Sequence, residues 1–368
     1  MKSDQGHQSP GSRDNFPVFA PSALARLTYP LAWDPNRFPT YDTWRCQARA
    51  KVMECLLAAP PPAPFEPAII AEEDRGNYVV RKLTVQLTAD SRVLGYLAVP
   101  KGEGPFPAVL ALHDHGGFFE IGKEKVVRPF GVPDACLRMS EDWVNRCYGG
   151  RWFMDALAAR GYLCFATDMF NWGDRGGGGH AGQEALSCTL LHLGMSFSGL
   201  IAHEDLRSAE FVATLPEVDS RRVAAVGLSV GGFRTWQIAA LSDRLAAGCS
   251  ICWMATMKGI LLPRTNQTSG GGVYTLIHPD IFNYLDYPNV ASIACPKPML
   301  FFGGMHDELF PPSCVEEAYA KMRSVWTSQG ADNRLVTKLW DVPHEFNVAM
   351  QNEAFDWLDA QCRPRRGD

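Results

Sequence analysis

The chain contains no run of about 18 apolar residues, so a membrane-spanning helix is not expected. Its opening stretch, MKSDQGHQSPGSRDNF, lacks the apolar core of a secretory signal, which makes a cytoplasmic protein the expectation. A disulfide framework is also missing. The 11 cysteines are odd in number and scattered, and the single C-x-x-C at Cys249 and Cys252 has no second pair to complete a metal site. These thiols read as small buried apolar groups. No basic stripe is present, and the formal net charge of -5 argues against a nucleic-acid partner. Arg363, Arg365 and Arg366 are too few to alter this and read as a solvated tail. Internal repeats and long low-complexity tracts are absent as well.

What is present suits a globular chain with a large core: 46% apolar residues and 20% charged. Residues 1–65 read as an N-terminal extension. Its first 15 or so are polar and expected to be disordered. A helix over 41–58 follows, ended by Pro60, Pro61 and Pro62. Residues 66–368 form the main domain. There Leu83, Val85 and Leu87 alternate with Thr84, Gln86 and Thr88, the pattern of a half-buried strand, and residues 93–99 supply its hairpin partner. Short apolar runs then recur at 108–112, 162–167, 223–228, 246–252, 299–302 and 335–340. Helix-like segments at 151–160, 183–215, 232–241, 315–328 and 345–362 separate or follow them. That alternation predicts an α/β fold, an eight-stranded and mostly parallel sheet with helices on both faces. Two connections, 118–150 and 258–296, are too long for simple links. Both leave carboxyl ends of strands, so they are expected to wall or cover a pocket.

The strongest chemical signal is Gly227-Leu228-Ser229-Val230-Gly231, between a strand and a helix. A serine on such a sharp turn has its hydroxyl lifted clear of the sheet, and small neighbours permit the bend. A hydroxyl needs a base to accept its proton. In the chain order serine, acid, histidine, Asp307 follows a strand end and His344 lies between the last strand and the last helix. Glu308 and Asp341 are rival acids; His278 and His306 are rival bases. His113-Asp114-His115-Gly116-Gly117 ends the third strand, where a glycine-rich loop supplies an amide to an oxyanion hole. The amides of Gly117 and Val230 are the nominated donors. His113 and His115 also form an H-x-H, but Asp168 and His180 do not obviously complete a metal set, so none is assigned. His115, Asp168 and Trp253 are the candidate pocket residues. Asp168 has a second reading, as a tie for the glycine loop 176–179. Trp253 is expected as an apolar wall. Trp236 is expected in helix–sheet packing, and Arg234 paired with a carboxylate.

Together HDHGGFFEIGKEK, ATDMFNWGDRG, VDSRRVAAVGLSVGGFRTW and DVPHEF resemble the dienelactone-hydrolase and acetyl-xylan-esterase-like branch of the α/β-hydrolases, over about residues 70–360. Dienelactone hydrolases proper use a cysteine nucleophile, so Ser229 places this chain nearer the esterases. The resemblance implies ester hydrolysis through an acyl-enzyme, with no cofactor and a small-molecule ester as the partner. A prolyl-oligopeptidase-like peptidase is the rival enzyme, although about 65 residues cannot form its propeller. A non-catalytic hydrolase-fold binding protein is the rival of another class, and a metal-dependent hydrolase the last.

Overall fold

Side chains alternate along each strand, and this sorts the interior into two cores, one on either face of a single sheet. The computed structural model describes residues 12–13, 16–263, 265–269 and 274–363. The stretch expected to be disordered lies outside these residues except for Ser12 and Arg13, as do Arg365 and Arg366. The strands are β1 (Ala68–Asp74), β2 (Tyr78–Thr88), β3 (Ser91–Pro100), β4 (Phe106–Leu112), β5 (Leu163–Thr167), β6 (Val218–Leu228), β7 (Leu245–Ile251), β8 (Met299–Gly304) and β9 (Leu335–Trp340). They pair in the order β9-β8-β7-β6-β4-β5-β3-β2-β1. β4 to β9 run parallel; β1, β2 and β3 are antiparallel to their neighbours.

The sheet thus has nine strands, not the expected eight. The additional strand, β1, is exposed along nearly its whole length. With neither face buried, it carries no period-2 signal.

The longer helices are α1 (Tyr41–Cys55), α2 (Asp134–Cys147), α3 (Phe153–Ala159), α4 (Gly179–His192), α5 (Phe197–Thr214), α6 (Val230–Leu241), α7 (Pro312–Ser328) and α8 (Val348–Cys362). β4 sends Ala108, Leu110 and Leu112 into a core with α1, α5, α6 and α7, through Trp44, Phe211, Trp236 and Trp326. Val109 and Ala111 face the opposite core, with Trp143 of α2, Phe153 of α3 and Phe355 of α8. Burying each such large side chain contributes about 1.5–3 kcal/mol. The helix expected over 183–215 is two. Gly194, at φ 73°, ends the first, and the Ser196 hydroxyl accepts the Gly199 N–H at 3.0 Å to start the second.

Connection 118–150 holds a buried single turn at Lys123–Lys125 and then α2. Connection 258–296 folds into short helical turns, including Tyr287–Ser292. Its helical turns pack on α1, α6 and α7; the Tyr41 hydroxyl donates to the carbonyls of Ser292 at 2.7 Å and Cys295 at 3.0 Å.

α6 is buried at every position, Arg234 included. That cation is accepted because Asp205 of α5 takes its Nε and one terminal nitrogen, at 2.8 and 2.6 Å, while the other terminal nitrogen reaches the His113 carbonyl at 3.4 Å. Removing one partner strands the other charge in a medium of low dielectric constant. Asp205→Ala is expected to lower unfolding free energy by about 3–5 kcal/mol in urea titration. A loss below about 1 kcal/mol would mean that solvent or another group reaches Arg234.

Candidate active site

Ser229 lies between the end of β6 and the start of α6, at φ 56° and ψ −125°. A residue other than glycine in this region stores roughly 1–3 kcal/mol of strain, sustained here by surrounding structure. Its N–H donates to the Ile251 carbonyl at 2.8 Å and its carbonyl accepts from Phe233 at 2.9 Å. Gly231 lets the turn close: a Cβ there would sit 2.1 Å from the Leu112 carbonyl oxygen. That contact brings the loop after β4 alongside the serine.

Asp307 follows β8 and is buried. Its Oδ1 accepts the Leu309 N–H at 2.9 Å, and its Oδ2 lies 2.6 Å from His344 Nδ1. Nδ1 therefore carries the proton, leaving Nε2 as the acceptor. Phe310 lies nearly parallel to the imidazole, with centroids 6.1 Å apart. Ser229 and His344 line one cavity of about 600 Å³, with His115, Trp143, Arg146 and His180 among its other walls. Of the two contacts a proton relay needs, the imidazole–carboxylate bond is made. Ser229 stands half-buried on the shared wall without a hydrogen bond to His344, and such bonds often tighten only when substrate is present.

The rivals have other partners or surroundings. His306 and Asp341 form an exposed pair with each other at 2.6 Å. His278 is buried against Gln237 at 2.8 Å, and burial pushes its pKa down to about 4. Glu308 lines the cavity but makes no hydrogen bond or ion pair with the imidazole.

Cys252 packs beside the acid–base pair, and its sulfur, an Asp307 oxygen and an His344 nitrogen lie within 4.8 Å of one another. The imidazole and carboxylate atoms are already bonded to each other, and the thiol contacts the Glu345 carbonyl at 3.5 Å. Burial drives this thiol well above its ordinary range. The H-x-H is likewise committed to protein partners. His113 Nε2 accepts the Met169 N–H at 3.0 Å, so Nδ1 donates to the Asp114 carbonyl at 2.8 Å. His115 Nδ1 accepts the Gly117 N–H at 3.2 Å, and its Nε2 meets the Gln183 side-chain amide, 2.9 Å from the amide Nε2 and 3.2 Å from Oε1.

Several expectations change here. The Gly117 amide turns back onto His115, at φ 69° for Gly117, and does not point freely into the cavity. His115 and Gly116 are two of the loop amides with no acceptor among the described residues; Asp114 and Phe118 are others. Asp168 does not line the cavity. It is buried and binds Lys123 through the backbone N–H at 2.6 Å and Nζ at 2.7 Å. Burial pushes this carboxyl up while Lys123 pulls it down. Lys123, surrounded by Asp168, Glu124 and Asp174, stays well above its ordinary range despite its own burial.

Trp253 is also off the main wall, packed against Phe233, Tyr287 and Phe310. It supports the ring that flanks His344. Among the described residues, connection 258–296 contributes nothing to the cavity lining, whereas 118–150 contributes Trp143, Arg146 and Cys147. The sequence reading passed over Trp143, Arg146, Glu345 and the role of His180 as a wall. Their only advance signal was membership of the long connections or a strand-end loop.

His115 is enclosed by Phe119, Trp172 and His180, and burial lowers its pKa from 6.5 to about 4. The folded protein refuses a proton that the unfolded chain accepts. Stability contributed by the neutral ring is therefore complete above pH 6.5 and lost as pH falls towards 4. The expected loss is on the order of 3 kcal/mol, at about 1.4 kcal/mol per pH unit. Ring signals in a histidine-labelled NMR titration should stay neutral to about pH 5; a midpoint near 6.5 would contradict this burial.

No known family profile matches the chain. A Bacillus subtilis (strain 168) protein named "Putative hydrolase YtaP" is 26% identical over 288 residues, covering 78% of this chain and 89% of that protein. Among solved structures, a "putative acetyl xylan esterase" from Bacteroides fragilis matches with a TM-score of 0.70 at 15% identity, over 87% of this chain and 80% of that one. A glucuronoyl esterase from Solibacter usitatus matches with a TM-score of 0.65 at 14% identity, over 90% and 96%. Likeness at these identities carries architecture, and the strand order and strand-to-helix turn agree with it. The chain has the α/β-hydrolase fold.

Proposed function

We propose that this protein hydrolyses carboxylic esters, with Ser229 as nucleophile, His344 as general base and acid, and Asp307 as the group that orients and charges the imidazole. The observation carrying this reading is the 2.6 Å bond from His344 to a buried carboxylate, beside a strained serine on the same cavity.

In the first half-reaction the Ser229 hydroxyl attacks the ester carbonyl carbon as Nε2 of His344 takes its proton. The bond to Asp307 stabilises the imidazolium that results. Negative charge develops on the carbonyl oxygen, beside the N-terminus of α6. There the Val230 amide is the first donor, and an amide of the loop after β4 is the second. Collapse of the tetrahedral species breaks the bond to the alkoxide, which leaves as the alcohol with the proton from His344. Water then attacks the acyl-serine, again losing a proton to His344, and the acid departs as Ser229 is restored.

The proposed substrate is a small acyl ester or an ester on a carbohydrate. The cavity is large enough for a sugar-sized group, with Trp143 as an aromatic wall and Arg146, His180 and Glu308 as polar ones. The neighbours named as acetyl xylan and glucuronoyl esterases point the same way.

Turnover of p-nitrophenyl acetate and of acetylated or uronate-esterified sugars tests this reading. Ser229→Ala is expected to lower kcat by roughly 10⁴-fold or more, and Asp307→Asn by about 10⁴-fold through the wrong imidazole tautomer. An unchanged rate in Ser229→Ala would rule the reading out.

A further inference from the structure

Lys125 takes no part in the cycle above, yet its side chain has no solvent exposure and ends beneath the loop that lines the serine's cavity. A buried lysine is expected to seek a carboxylate. This one lies 3.8 Å from Asp114 Oδ1, its nearest pairing there, but 2.8 Å from the His115 carbonyl and 3.3 Å from the Asp114 carbonyl. The ammonium is thus spent on two consecutive peptide groups. Each has a second donor: the Trp172 indole reaches the His115 carbonyl at 2.9 Å, and His113 Nδ1 reaches the Asp114 carbonyl at 2.8 Å. Asp114 takes its hydrogen bonds at the other oxygen, Oδ2, from Trp143 at 3.1 Å and Tyr148 at 2.6 Å. Burial lowers the Lys125 pKa, and the neighbouring Asp114 opposes that fall.

These peptides are trans and planar, so a carbonyl pinned inward turns its N–H partner the opposite way. The N–H paired with the Asp114 carbonyl belongs to His115, and the one paired with the His115 carbonyl belongs to Gly116. Donation to a carbonyl also draws the nitrogen lone pair further into the C–N bond, making that N–H a stronger donor. Gly116 has no room for a side chain in this arrangement: its Cβ would lie 2.6 Å from Asp114 Oδ1 and 3.0 Å from Lys125 Nζ.

We propose that Lys125 is a positioning residue for the oxyanion hole, aiming and polarising the His115 and Gly116 amides through their partner carbonyls. The inference rests on the esterase reading of the same cavity. It also replaces the Gly117 amide, which is occupied by His115 Nδ1.

Lys125→Met removes the charge and keeps the chain length. Its kcat on p-nitrophenyl acetate should fall about 100-fold, with KM changing less than about threefold. Affinity for phenylboronic acid, which forms a tetrahedral anionic adduct on an active serine, should fall by a similar factor. A merely structural lysine would lower stability without coupling kcat to boronate affinity. Should Lys125→Met fail to fold, Trp172→Phe removes one donor to the His115 carbonyl and keeps a ring. Its kcat and boronate affinity should then fall together by about fivefold. A folded variant that retains both within twofold, or loses only KM, overturns the proposal. Loss of turnover in Ser229→Ala with full turnover in Lys125→Met discards this inference alone; full turnover in Ser229→Ala discards the esterase reading itself.

Discussion

The turn at Ser229 passes so near the end of β4 that even a methyl group at Gly231 would overlap the Leu112 carbonyl. This contact makes the geometry of the candidate site a property of the sheet. β4 and β6 are neighbouring parallel strands, so the serine and the loop after Leu112 emerge side by side. The first turn of α6 then has only one course, inward between the strand ends and α5, where all of its side chains are buried.

Depth of that kind has an electrostatic consequence. Arg234, Lys123 and Lys125 are cations with almost no contact with solvent, and each is surrounded by acceptors. Two face carboxylates closely; the third faces carbonyls. Buried pairs of this sort add little net stability, because desolvation offsets attraction. They do fix positions. Arg234 ties α6 to α5, Lys123 ties the turn at 123–125 to the strand end at Asp168, and Lys125 joins that turn to the loop beside the serine.

The residues proposed as acid, base and nucleophile could be picked out as candidates because their signals are local: a short motif, a strand end, and a chain order typical of the fold. The cavity walls were not. Trp143 and Arg146 reach the site from a helix inside a long connection, and nothing in a linear pattern says which face of that helix turns inward. Asp168 shows the ambiguity well, since a carboxylate at a strand end looks the same whether it meets substrate or a lysine. The discriminating signal was Lys123-Glu124-Lys125 set between Ile121 and Val126, charges embedded in apolar surroundings. Gly194 followed by Ser196 was likewise a readable stop and start within the expected single helix. β1 left no periodic trace because it buries neither face.

That same edge strand settles how the sheet ends. Its outer rim pairs with no other strand among the described residues, and Ile69 and Ile70 are exposed beside it. An irregularity falls between Ile69 and Ala71, and the next three residues are acidic, held by Arg81, Arg75 and Lys101 at 2.8, 2.8 and 2.7 Å. A second copy approaching in register would have to strip those pairs and bring like charges face to face. The rim therefore resists recruiting further strands, and the chain is guarded against fibrous self-assembly at the end of the sheet farthest from its chemistry.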